Sequence, residues 1–570
     1  MCGIFSLLNY KHHDLTFITN EFMKGQNRGP EFSKIDNTYL KMILGFHRLA
    51  INGLNNESNQ PLVFNDIILI CNGEIYNYKF LYDSMNVTPV TNSDCEVIIH
   101  LYLKYGIEQT LNMLDGVFSF ILYDNRINEV SNNKLFVARD PYGVRPLYYL
   151  KPRDDNVFSN LYGFASELKC IEQFYNCEPE DYIIQQFEPG TYSIFNLSNK
   201  VLSDWEIEKE NIPYFIPTFS YNWDHHKEKY DQISSYLNNA VTKRCLTTER
   251  PIACLLSGGL DSSLIAALVN NFYNLNNLPN KLETYSIGLE GSEDLKFARK
   301  VADYLGTNHT EVIVTEKEMF EAIPEVIYAI ESYDTTTVRA SIGNYLLGKY
   351  ISQHSEAKVI FNGDGADELF GGYLYMNQCP DDIEFDKETR RLLKEIHTFD
   401  VLRSDKSISS NGLEPRTPFL DKGFVNFVLS IPPYVRNHKN IKSAFNTQNN
   451  IEKYILRKSF SSEIFTGYDN RQIIPSEILW RKKEAFSDGV SCHGRSLYTI
   501  LQEHICDKLN MDKETDVYTP CIDTEKFYYK MIFDKNFPNC SHILPHFWMP
   551  KYIDATDPSA RTLNIYTEKH

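Results

Sequence analysis

At residues 255–263 the chain reads Leu-Leu-Ser-Gly-Gly-Leu-Asp-Ser-Ser, directly after an apolar run and directly before a helical pattern. A turn of this composition can point backbone amides and hydroxyls at a phosphate group on the helix N-terminus. It is not a Walker A loop, because the G-x-x-x-x-G-K-[ST] spacing and its lysine are missing. These residues therefore predict a phosphate-binding loop of another kind, placed between a strand and a helix.

Apolar strand patterns alternate with amphipathic helix patterns on both sides of this loop. Strands are predicted at 252–256, 284–289 and 358–361, and helices after Asp261 and over 294–305. Such alternation predicts a parallel sheet with crossover helices, in which ligands lie at the carboxyl ends of the strands. Further along the chain, helical spacing predicts a mainly α-helical C-terminal part.

The first third of the chain has a different pattern. Short apolar runs at 67–71, 117–123 and 135–138 are separated by turn residues, which predicts an α+β, sheet-rich unit. Residues 213–224 carry two prolines and no clear periodicity. A boundary between the two units is therefore expected near this segment.

Composition excludes several classes of protein. A chain of 570 residues predicts about two to four units of roughly 100–200 residues each. The net charge of −18, without a run of basic residues, argues against nucleic acid as a partner. No long apolar window or signal-peptide pattern is present, so we expect no membrane contact and a cytoplasmic location. The cysteines contain no C-x-x-C pair, which argues against a disulfide framework or structural zinc.

Cys2 directly follows Met1. Removal of Met1 would place a thiol and a free α-amine on the same residue. An α-amine with a pKa of about 7.7–8.0 can act as general base toward a thiol with a pKa of about 8.5. The position is typical of an N-terminal nucleophile hydrolase, although a cysteine could also follow Met1 by coincidence.

Short motifs throughout the first 150 residues accompany Cys2. They are Met1-Cys2-Gly3-Ile4-Phe5, Asn27-Arg28-Gly29-Pro30, Gly45-Phe46-His47-Arg48-Leu49-Ala50, Asn72-Gly73-Glu74-Ile75-Tyr76-Asn77, Ser93-Asp94 and Arg139-Asp140-Pro141-Tyr142-Gly143-Val144-Arg145-Pro146. Together they resemble the class II glutamine amidotransferase domain.

This resemblance implies that Cys2 is the nucleophile and that Arg48, Glu74 and Asp94 hold glutamine. It also implies that the Asn72 side chain and the Gly73 backbone N–H contact glutamine and form an oxyanion hole. The residue types agree with these roles. A guanidinium can bind an α-carboxylate through two bonds, a carboxylate can pair with an α-ammonium, and preorganised donors stabilise developing negative charge.

The phosphate-binding loop resembles that of ATP pyrophosphatases, enzymes that cleave ATP to AMP and pyrophosphate. The resemblance implies that Ser257, Gly258, Gly259 and Ser262 bind ATP. Asp261 is a candidate ligand of Mg²⁺, because magnesium usually takes one or two carboxylates together with phosphate oxygens.

A second acidic loop, Asn362-Gly-Asp-Gly-Ala-Asp-Glu368, follows the strand at 358–361 and adds Asp367 as a metal candidate. A dinucleotide fingerprint is excluded there, because the third glycine is missing and acidic side chains would oppose a pyrophosphate without metal.

Four further motifs extend the resemblance over nearly the whole chain. They lie at 331–341, 412–421, 480–489 and 555–561, and they are similar to those of asparagine synthetases, the animal-type enzymes in particular. The resemblance implies that ATP is contacted by Leu255, Ile287, Asn362 and Gly363, and that Lys483 faces its phosphates. We interpret Thr336 and Arg339 as candidates for gripping aspartate, since arginine suits an α-carboxylate; Arg339 could instead be a surface cation.

Three positions depart from the family pattern. Asn362-Gly363-Asp364 stands where many members have Ser-Gly-Glu, Thr417 stands where valine is common, and Asn27 stands where histidine is common. A carboxylate is retained at Asp364, but it is one methylene shorter. Asp364 is therefore a catalytic candidate whose role the resemblance alone leaves open.

We expect an α+β N-terminal nucleophile hydrolase sandwich followed by an α/β parallel-sheet ATP-pyrophosphatase domain with a helical C-terminal part. The predicted units are a glutaminase domain over 2–190, a linker over 191–230, a synthetase domain over 231–540 and a tail over 541–570. The expected substrates are ATP, carried with Mg²⁺, L-aspartate and L-glutamine. A homodimer is one assembly that the resemblance allows.

Two alternatives compete with this interpretation. One is a related amidotransferase that acts on another carboxylate, such as a β-lactam synthetase-like enzyme, which would normally lack a working Cys2 site. The other is an inactive homologue that binds AMP or glutamine. Intact Cys2, Arg48 and Asp94 favour the glutamine-hydrolysing enzyme.

Overall fold

The computed structural model describes residues 1–11, 13–126, 133–153, 160–197, 203–222, 228–440, 451–483, 497–508, 522–555 and 558. Residues 484–489, 556–557 and 559–561 of two sequence motifs lie outside these ranges. Within the described ranges, no helix is both long and apolar enough to cross a membrane.

The N-terminal domain consists of strands and a few helices. Its strands are β1 (Gly3–Leu8), β2 (Phe32–Asp36), β3 (Met42–Arg48), β4 (Leu62–Phe64), β5 (Ile67–Ile75), β6 (Gly116–Asp124), β7 (Asn133–Arg139), β8 (Tyr148–Pro152), β9 (Tyr162–Ala165), β10 (Tyr182–Gln186), β11 (Thr191–Leu197) and β12 (Trp205–Pro213). Its helices are α1 (Leu15–Met23), α2 (Tyr78–Met85), α3 (Val97–Met113) and α4 (Glu172–Cys177).

These strands form two antiparallel sheets that pack face to face. One has the order β10-β8-β9-β1-β3-β2 and the other β12-β11-β7-β6-β5-β4. The inner faces meet in one apolar cluster, to which β1 contributes Ile4 and β5 contributes Ile68 and Ile70. On the outer faces, α2 and α3 cover β5 and β6, while α1 and α4 cover β1 and β3. The predicted α+β sandwich is confirmed.

The predicted linker over 191–230 needs a correction. Residues 191–197 and 205–213 form the strands β11 and β12 of the second sheet, next to β7. Trp205 in β12 is fully buried between the two sheets. The sandwich therefore continues to Pro213, and a boundary at residue 190 falls inside it. The strand pattern was missed because β12 is mostly exposed and carries many charges, which hides its alternation.

The C-terminal domain is built around a parallel sheet. Its strands are β13 (Ile252–Leu255), β14 (Glu283–Gly288), β15 (Asn308–Ile313), β16 (Val359–Phe361) and β17 (Glu414–Arg416). Its helices are α5 (Glu228–Leu246), α6 (Leu260–Leu275), α7 (Glu293–Leu305), α8 (Glu316–Glu321), α9 (Ile323–Ile330), α10 (Thr335–His354), α11 (Ala366–Phe370), α12 (Asp382–Glu395), α13 (Asp400–Ser409), α14 (Lys422–Ser430), α15 (Pro433–Arg436), α16 (Tyr454–Ser459), α17 (Ser476–Leu479), α18 (Leu497–Lys508) and α19 (Ile522–Asn536).

The sheet has the strand order β15-β14-β13-β16-β17, and each neighbouring pair is parallel. The predicted α/β architecture is thus confirmed. The loop over 256–259 and the acidic loop over 362–365 follow the neighbouring strands β13 and β16, so both lie at the carboxyl edge of the sheet. This edge is where the fold places a ligand.

The C-terminal segment beyond residue 540 packs against the synthetase domain over its described part. Trp548 is 6% exposed, and its backbone N–H donates to Asp334 Oδ1 at 2.8 Å. Its ring packs with Tyr373 and Tyr375. Residues near 548 therefore cover one side of the edge at which the ligand is expected.

Buried charges and apolar side chains join the two domains. Arg28 of the N-terminal domain pairs with Asp405 of α13 at 2.8 Å, and Glu331 accepts hydrogen bonds from the Leu168 and Lys169 backbone at 2.8 and 3.0 Å. Leu49 from one domain and Leu256 from the other belong to the same apolar cluster. The two domains thus share a core.

Replacement of Trp205 tests whether β12 belongs to the sandwich. We expect Trp205→Ala to destabilise the N-terminal domain by about 3–5 kcal/mol, because it leaves a large cavity between the sheets. The temperature at which glutamine hydrolysis is half lost should fall by roughly 10 °C. Phe80→Ala, at a 67%-exposed aromatic of the same domain, is the matched control and should change this temperature little. Equally small falls in this temperature in the two variants would contradict the assignment of β12 to the sandwich.

Candidate active sites

Cys2 lies at the start of β1, at the edge of the sandwich that faces the synthetase domain. Its thiol donates to Leu49 O at 3.7 Å, and Arg28 Nε donates to Cys2 O at 3.0 Å. Burial raises the pKa of the thiol to about 11 in the chain that carries Met1. The thiol therefore needs a base beside it before it can act as a nucleophile.

Met1 is 1% exposed, and its α-amine donates to Leu413 O at 3.5 Å. Burial lowers the pKa of this α-amine to about 5, so an amine at this place is neutral near pH 7. A neutral amine is the form that can accept a proton from a thiol. Because Met1 is enclosed, an aminopeptidase can reach it only before the two domains pack together.

The predicted oxyanion hole lies on β5. Asn72 is fully buried, and its Nδ2 donates to Ser166 Oγ at 3.3 Å. Ser166 Oγ also accepts from the backbone of Ile4, two residues after Cys2. At Gly73 a Cβ atom would lie 2.6 Å from Val117 O, so only glycine fits there. Ser166, which no sequence motif singled out, orients the Asn72 amide across the gap between the sheets.

Arg48 is bound to a loop of its own domain. Its guanidinium donates to Asn55 O at 2.9 Å, to Asn59 Oδ1 at 2.7 Å and to the Asn52 and Gly53 carbonyls. The guanidinium N–H groups that the resemblance assigns to the α-carboxylate of glutamine are therefore bound to oxygens of residues 52–59 in this structure.

Glu74 and Asp94 lie close to each other in a buried place. Asp94 Oδ2 accepts from Ile75 N at 2.7 Å, and Glu74 Oε2 accepts from Asn52 Nδ2 at 2.7 Å. Burial raises the pKa of Asp94 to about 6. Burial, with the nearby charges of Asp94 and Glu414, also raises the pKa of Glu74. Two crowded carboxylates of this kind favour a cationic ligand, such as an α-ammonium.

A cavity of about 360 Å³ opens at the carboxyl edge of the parallel sheet. It is lined by thirteen of the predicted site residues: Leu255, Ser257, Gly259, Asp261, Ser262, Ile287, Thr336, Arg339, Asn362, Gly363, Asp364, Asp367 and Lys483. The sequence-based prediction therefore brings together residues that are up to 228 positions apart, from Leu255 to Lys483.

Glycines and serines shape the phosphate-binding loop. Gly258 does not line the cavity; it has φ +75°, and a Cβ atom there would lie 2.5 Å from Phe297 Cβ. Ser257 Oγ and Ser262 Oγ are 3.0 Å apart and hydrogen bonded. At Gly363 a Cβ atom would lie 2.8 Å from Ser262 N, so the two loops touch backbone to backbone. The loop is therefore preformed for a phosphate.

Two lysines neutralise the predicted metal-binding carboxylates, and one of them bridges both. Lys453 Nζ lies 2.5 Å from Asp261 Oδ2 and 2.6 Å from Asp367 Oδ1, and Lys483 also pairs with Asp367. Burial opposes ionisation of Asp367, but Lys453 and Lys483 outweigh it and lower the pKa of this carboxyl. Lys453 was missed because no motif marks it and its partners are distant in sequence.

The carboxylates fit a magnesium ion that arrives with a triphosphate. Asp261 and Asp367 are near enough to share one cation, and Asp261 Oδ1 is buried without a hydrogen-bond partner among the described residues. The described ranges contain no group of three or more metal-binding side chains. Two carboxylates are the number that Mg²⁺ usually takes when phosphate oxygens complete its shell.

The two residues predicted to bind aspartate, Thr336 and Arg339, have different surroundings. Thr336 Oγ1 is buried and has no hydrogen-bond partner within the described part of the chain. Arg339 Nε and Nη2 bind the two carboxylate oxygens of Glu525, from α19, at 2.8 and 2.5 Å. Arg339 therefore lines the cavity while a protein carboxylate holds its guanidinium. Sequence reasoning could not find Glu525, which lies 186 residues away.

Asp364 belongs to a cluster of acidic groups around one guanidinium. Arg403 Nη2 lies 3.4 Å from Asp364 Oδ1, and Arg403 also pairs with Asp400. Tyr373 OH donates to Glu368 Oε1 at 2.5 Å beside them. Burial raises the pKa of Asp364, and Arg403 opposes that rise. Asp400 and Arg403 follow no recognisable motif, although both line the cavity.

Comparison with known proteins finds the same two-part organisation. Residues 1–200 match the glutamine amidotransferase domain, and residues 232–384 and 377–543 match asparagine synthase. The chain is 41% identical to asparagine synthetase [glutamine-hydrolyzing] from Gallus gallus, 39% to that from Rattus norvegicus and 38% to that from Homo sapiens. Each of these matches covers 99% of this chain and 99% of the relative.

The raised pKa values of Asp94 and Glu74 predict how glutamine use depends on pH. In the empty site both carboxyls keep their protons to a higher pH than usual, and a protonated carboxyl cannot pair with an α-ammonium. The kcat/KM for glutamine should therefore fall by about tenfold per unit as the pH drops below about 6. Steady-state hydrolysis of glutamine between pH 5 and 9 measures this, and Asp94→Asn, in which Glu74 is the one of the two carboxyls that still titrates, serves for comparison. A kcat/KM for glutamine that does not change with pH in the unaltered enzyme would refute the assignment of Glu74 and Asp94 to the α-ammonium of glutamine.

Proposed function

The chain belongs to the family of glutamine-hydrolysing asparagine synthetases, and we propose how its residues divide the reaction of that family between two sites. The enzyme is a carbon–nitrogen ligase with glutamine as amide donor. It converts ATP, L-aspartate, L-glutamine and water into AMP, diphosphate, L-asparagine and L-glutamate. The observation that carries this assignment is the joint presence of Cys2 with its oxyanion-hole residues and of a phosphate loop beside a cavity, in one chain.

The first half-reaction takes place at Cys2. After removal of Met1, the Cys2 α-amine accepts the thiol proton, and the sulfur attacks the glutamine side-chain carbonyl. The Asn72 amide and the Gly73 N–H stabilise the oxyanion, and the protonated α-amine returns its proton to the amide nitrogen, which leaves as ammonia. Water then hydrolyses the resulting thioester to glutamate. Glu74 and Asp94 hold the α-ammonium of glutamine, and Arg48 holds its α-carboxylate once its loop has moved.

The second half-reaction takes place in the cavity. Aspartate needs activation, because its β-carboxylate is anionic and carries no good leaving group. Its β-carboxylate attacks the α-phosphorus of ATP, and pyrophosphate departs toward Ser257, Gly259 and Ser262. Lys453 and Lys483 offset the charge that develops on the departing phosphates. The product is β-aspartyl-AMP, held with the help of Thr336.

Mg²⁺, when bound with the triphosphate, supplies further positive charge at the phosphates, and Asp261 and Asp367 are the residues that would hold it. We assign Leu255 and Ile287, two apolar residues of the cavity lining, to the adenine ring. Asn362 and Gly363 form the floor of the nucleotide site.

Ammonia then attacks the acyl carbon of β-aspartyl-AMP and displaces AMP. We assign Asp364 to this step, where its charge holds the ammonia nucleophile or the acyl adenylate. We assign the passage of ammonia between the sites to the apolar boundary of the domains, where Leu49 and Val144 belong to the same buried cluster as Leu256 and Phe361. Such a passage excludes water and protons, which keeps ammonia in its nucleophilic form.

A cytoplasmic location and a homodimer belong to the same proposal. Neither bears on the chemistry, because both candidate sites are built from residues of a single chain. Size-exclusion chromatography with light scattering would determine the assembly.

Replacement of Cys2 separates the two half-reactions. We expect Cys2→Ala to abolish glutamine hydrolysis and glutamine-dependent synthesis, while free ammonia still supports asparagine formation at a rate close to that of the unaltered enzyme. Product assays with glutamine or with ammonium chloride measure both.

Two results would contradict the assignment of Cys2. One is substantial glutaminase activity in the Cys2→Ala protein. The other is a mass spectrum in which the fully active enzyme retains Met1, because the α-amine would then be absent from Cys2.

Substitution of Asp364 tests its charge. Asp364→Asn keeps the shape and removes the charge, so AMP and asparagine production should fall by about 10²-fold or more. Glutamine hydrolysis should persist. Asp364→Glu should retain substantial activity, since flanking glycines leave the loop freedom to adjust. Near-normal synthesis by Asp364→Asn, with ATP and aspartate saturating, would show that Asp364 only stabilises a turn.

A further inference from the structure

Arg416 ends β17 at the edge of the parallel sheet and is 1% exposed. Its Nε donates to Glu414 Oε1 at 2.8 Å, and its Nη1 donates to Thr247 Oγ1 at 3.2 Å and to the Arg244 carbonyl. Its Nη2 donates to Thr247 O at 2.9 Å and lies 3.3 Å from Glu74 Oε2. The guanidinium is thus held by its own domain while it reaches a carboxylate of the other domain.

The surroundings of Glu74 make this contact important. The carboxylate is 4% exposed, and its neutral hydrogen-bond donor is the amide of Asn52. Asp94 and Glu414 add negative charge nearby, whereas Arg416 and Arg145 add positive charge. The titratable or charged groups that face Glu74 are Tyr78, Asp94, Cys95, Arg145, Glu414 and Arg416. Of these, Arg416 is the cation seen in direct contact with the carboxylate.

We propose that Arg416, from the synthetase domain, is a positioning residue of the glutamine site that orients Glu74 and favours its ionised form when the α-ammonium of glutamine binds. The inference rests on the proposed role of Glu74. A fixed guanidinium beside a buried carboxylate offsets much of the cost of holding that charge away from water. Without Arg416, only the more distant Arg145 would help glutamine to ionise Glu74 against burial and two neighbouring carboxylates.

The backbone of Arg416 has a separate role that a side-chain substitution leaves intact. Asn362 N, in the loop that lines the ATP cavity, donates to Arg416 O at 3.1 Å. A change of the Arg416 side chain should therefore affect the glutamine site far more than the synthetase site. This difference distinguishes a positioning role from a general loss of structure.

The test is steady-state kinetics of Arg416→Met in the full-length enzyme. The glutamine KM should rise by about 10- to 100-fold, the usual effect of losing a contact to a charged group. The kcat of glutamine hydrolysis should fall by less than about threefold, because Cys2 and the oxyanion hole are untouched. The acid limb of the glutamine pH profile should move to higher pH. Ammonia-dependent asparagine synthesis should stay within about threefold of the unaltered enzyme.

Three variants serve as controls. Arg244→Met removes another buried arginine of the same boundary, one that pairs with Asp421 and does not contact Glu74 in the described structure, and it should leave the glutamine KM and pH profile unchanged. Arg416→Lys keeps the charge and should restore much of the affinity for glutamine. Arg416→Gln keeps donors for the Thr247 and Arg244 carbonyls, so it carries the same test if the methionine variant does not fold.

Glu74→Gln separates this inference from the role of Glu74 itself. If Glu74→Gln raises the glutamine KM and the neutral Arg416 variants do not, the inference is overturned and the role of Glu74 stands. If Glu74→Gln leaves the KM unchanged, the assigned role of Glu74 is wrong. If the Glu74 and Arg416 variants both raise the KM, the double variant should raise it no further than the larger single effect. The reason is that both substitutions remove the same contact between Arg416 and Glu74. Additive effects would overturn the inference.

Discussion

Charges buried at the boundary between the two domains are tolerated only where an opposite charge faces them. Arg28 meets Asp405, Glu74 meets Arg416, and Lys169 meets Glu331. Removing one partner of a buried pair typically costs about 3–5 kcal/mol, because the remaining charge has neither water nor a partner. Since partners come from both domains, neither can expose this face without a large penalty. The boundary therefore fixes the distance and orientation between the glutamine site and the ATP cavity.

Local patterns and the family resemblance were sufficient to predict the fold and to name thirteen residues that the structure brings to one cavity. The glycine and serine run at 255–263 marks a strand, a phosphate loop and a helix by its own spacing, and the structure places it at the edge of a parallel sheet. Lys453, Glu525 and Ser166 were not predictable in the same way. Each acts through a partner more than 90 residues distant, so that its role exists only after the chain has packed. The strand β12 was missed because charges mask its alternation.

The two sites differ in how ready they are for substrate. The phosphate loop is preformed, with Ser257 and Ser262 hydrogen bonded to each other and Gly363 packed against the loop backbone. The glutamine site is closed, with Arg48 bound to loop oxygens and Met1 enclosed beside Cys2. In the proposed mechanism, removal of Met1 and opening of the loop over 52–59 precede glutamine hydrolysis, whereas the phosphate loop needs no such rearrangement.

The fixed boundary between the domains should couple the two sites. Ammonia released from glutamine would then reach β-aspartyl-AMP without mixing with the solvent. Glutamine labelled with ¹⁵N in its side-chain amide, supplied with ATP, Mg²⁺ and aspartate in the presence of excess unlabelled ammonium, tests this directly. Mass spectrometry of the asparagine formed gives its ¹⁵N content. We expect asparagine that carries mostly ¹⁵N. A ¹⁵N content equal to that of the ammonium pool in solution would contradict direct transfer of ammonia between the sites.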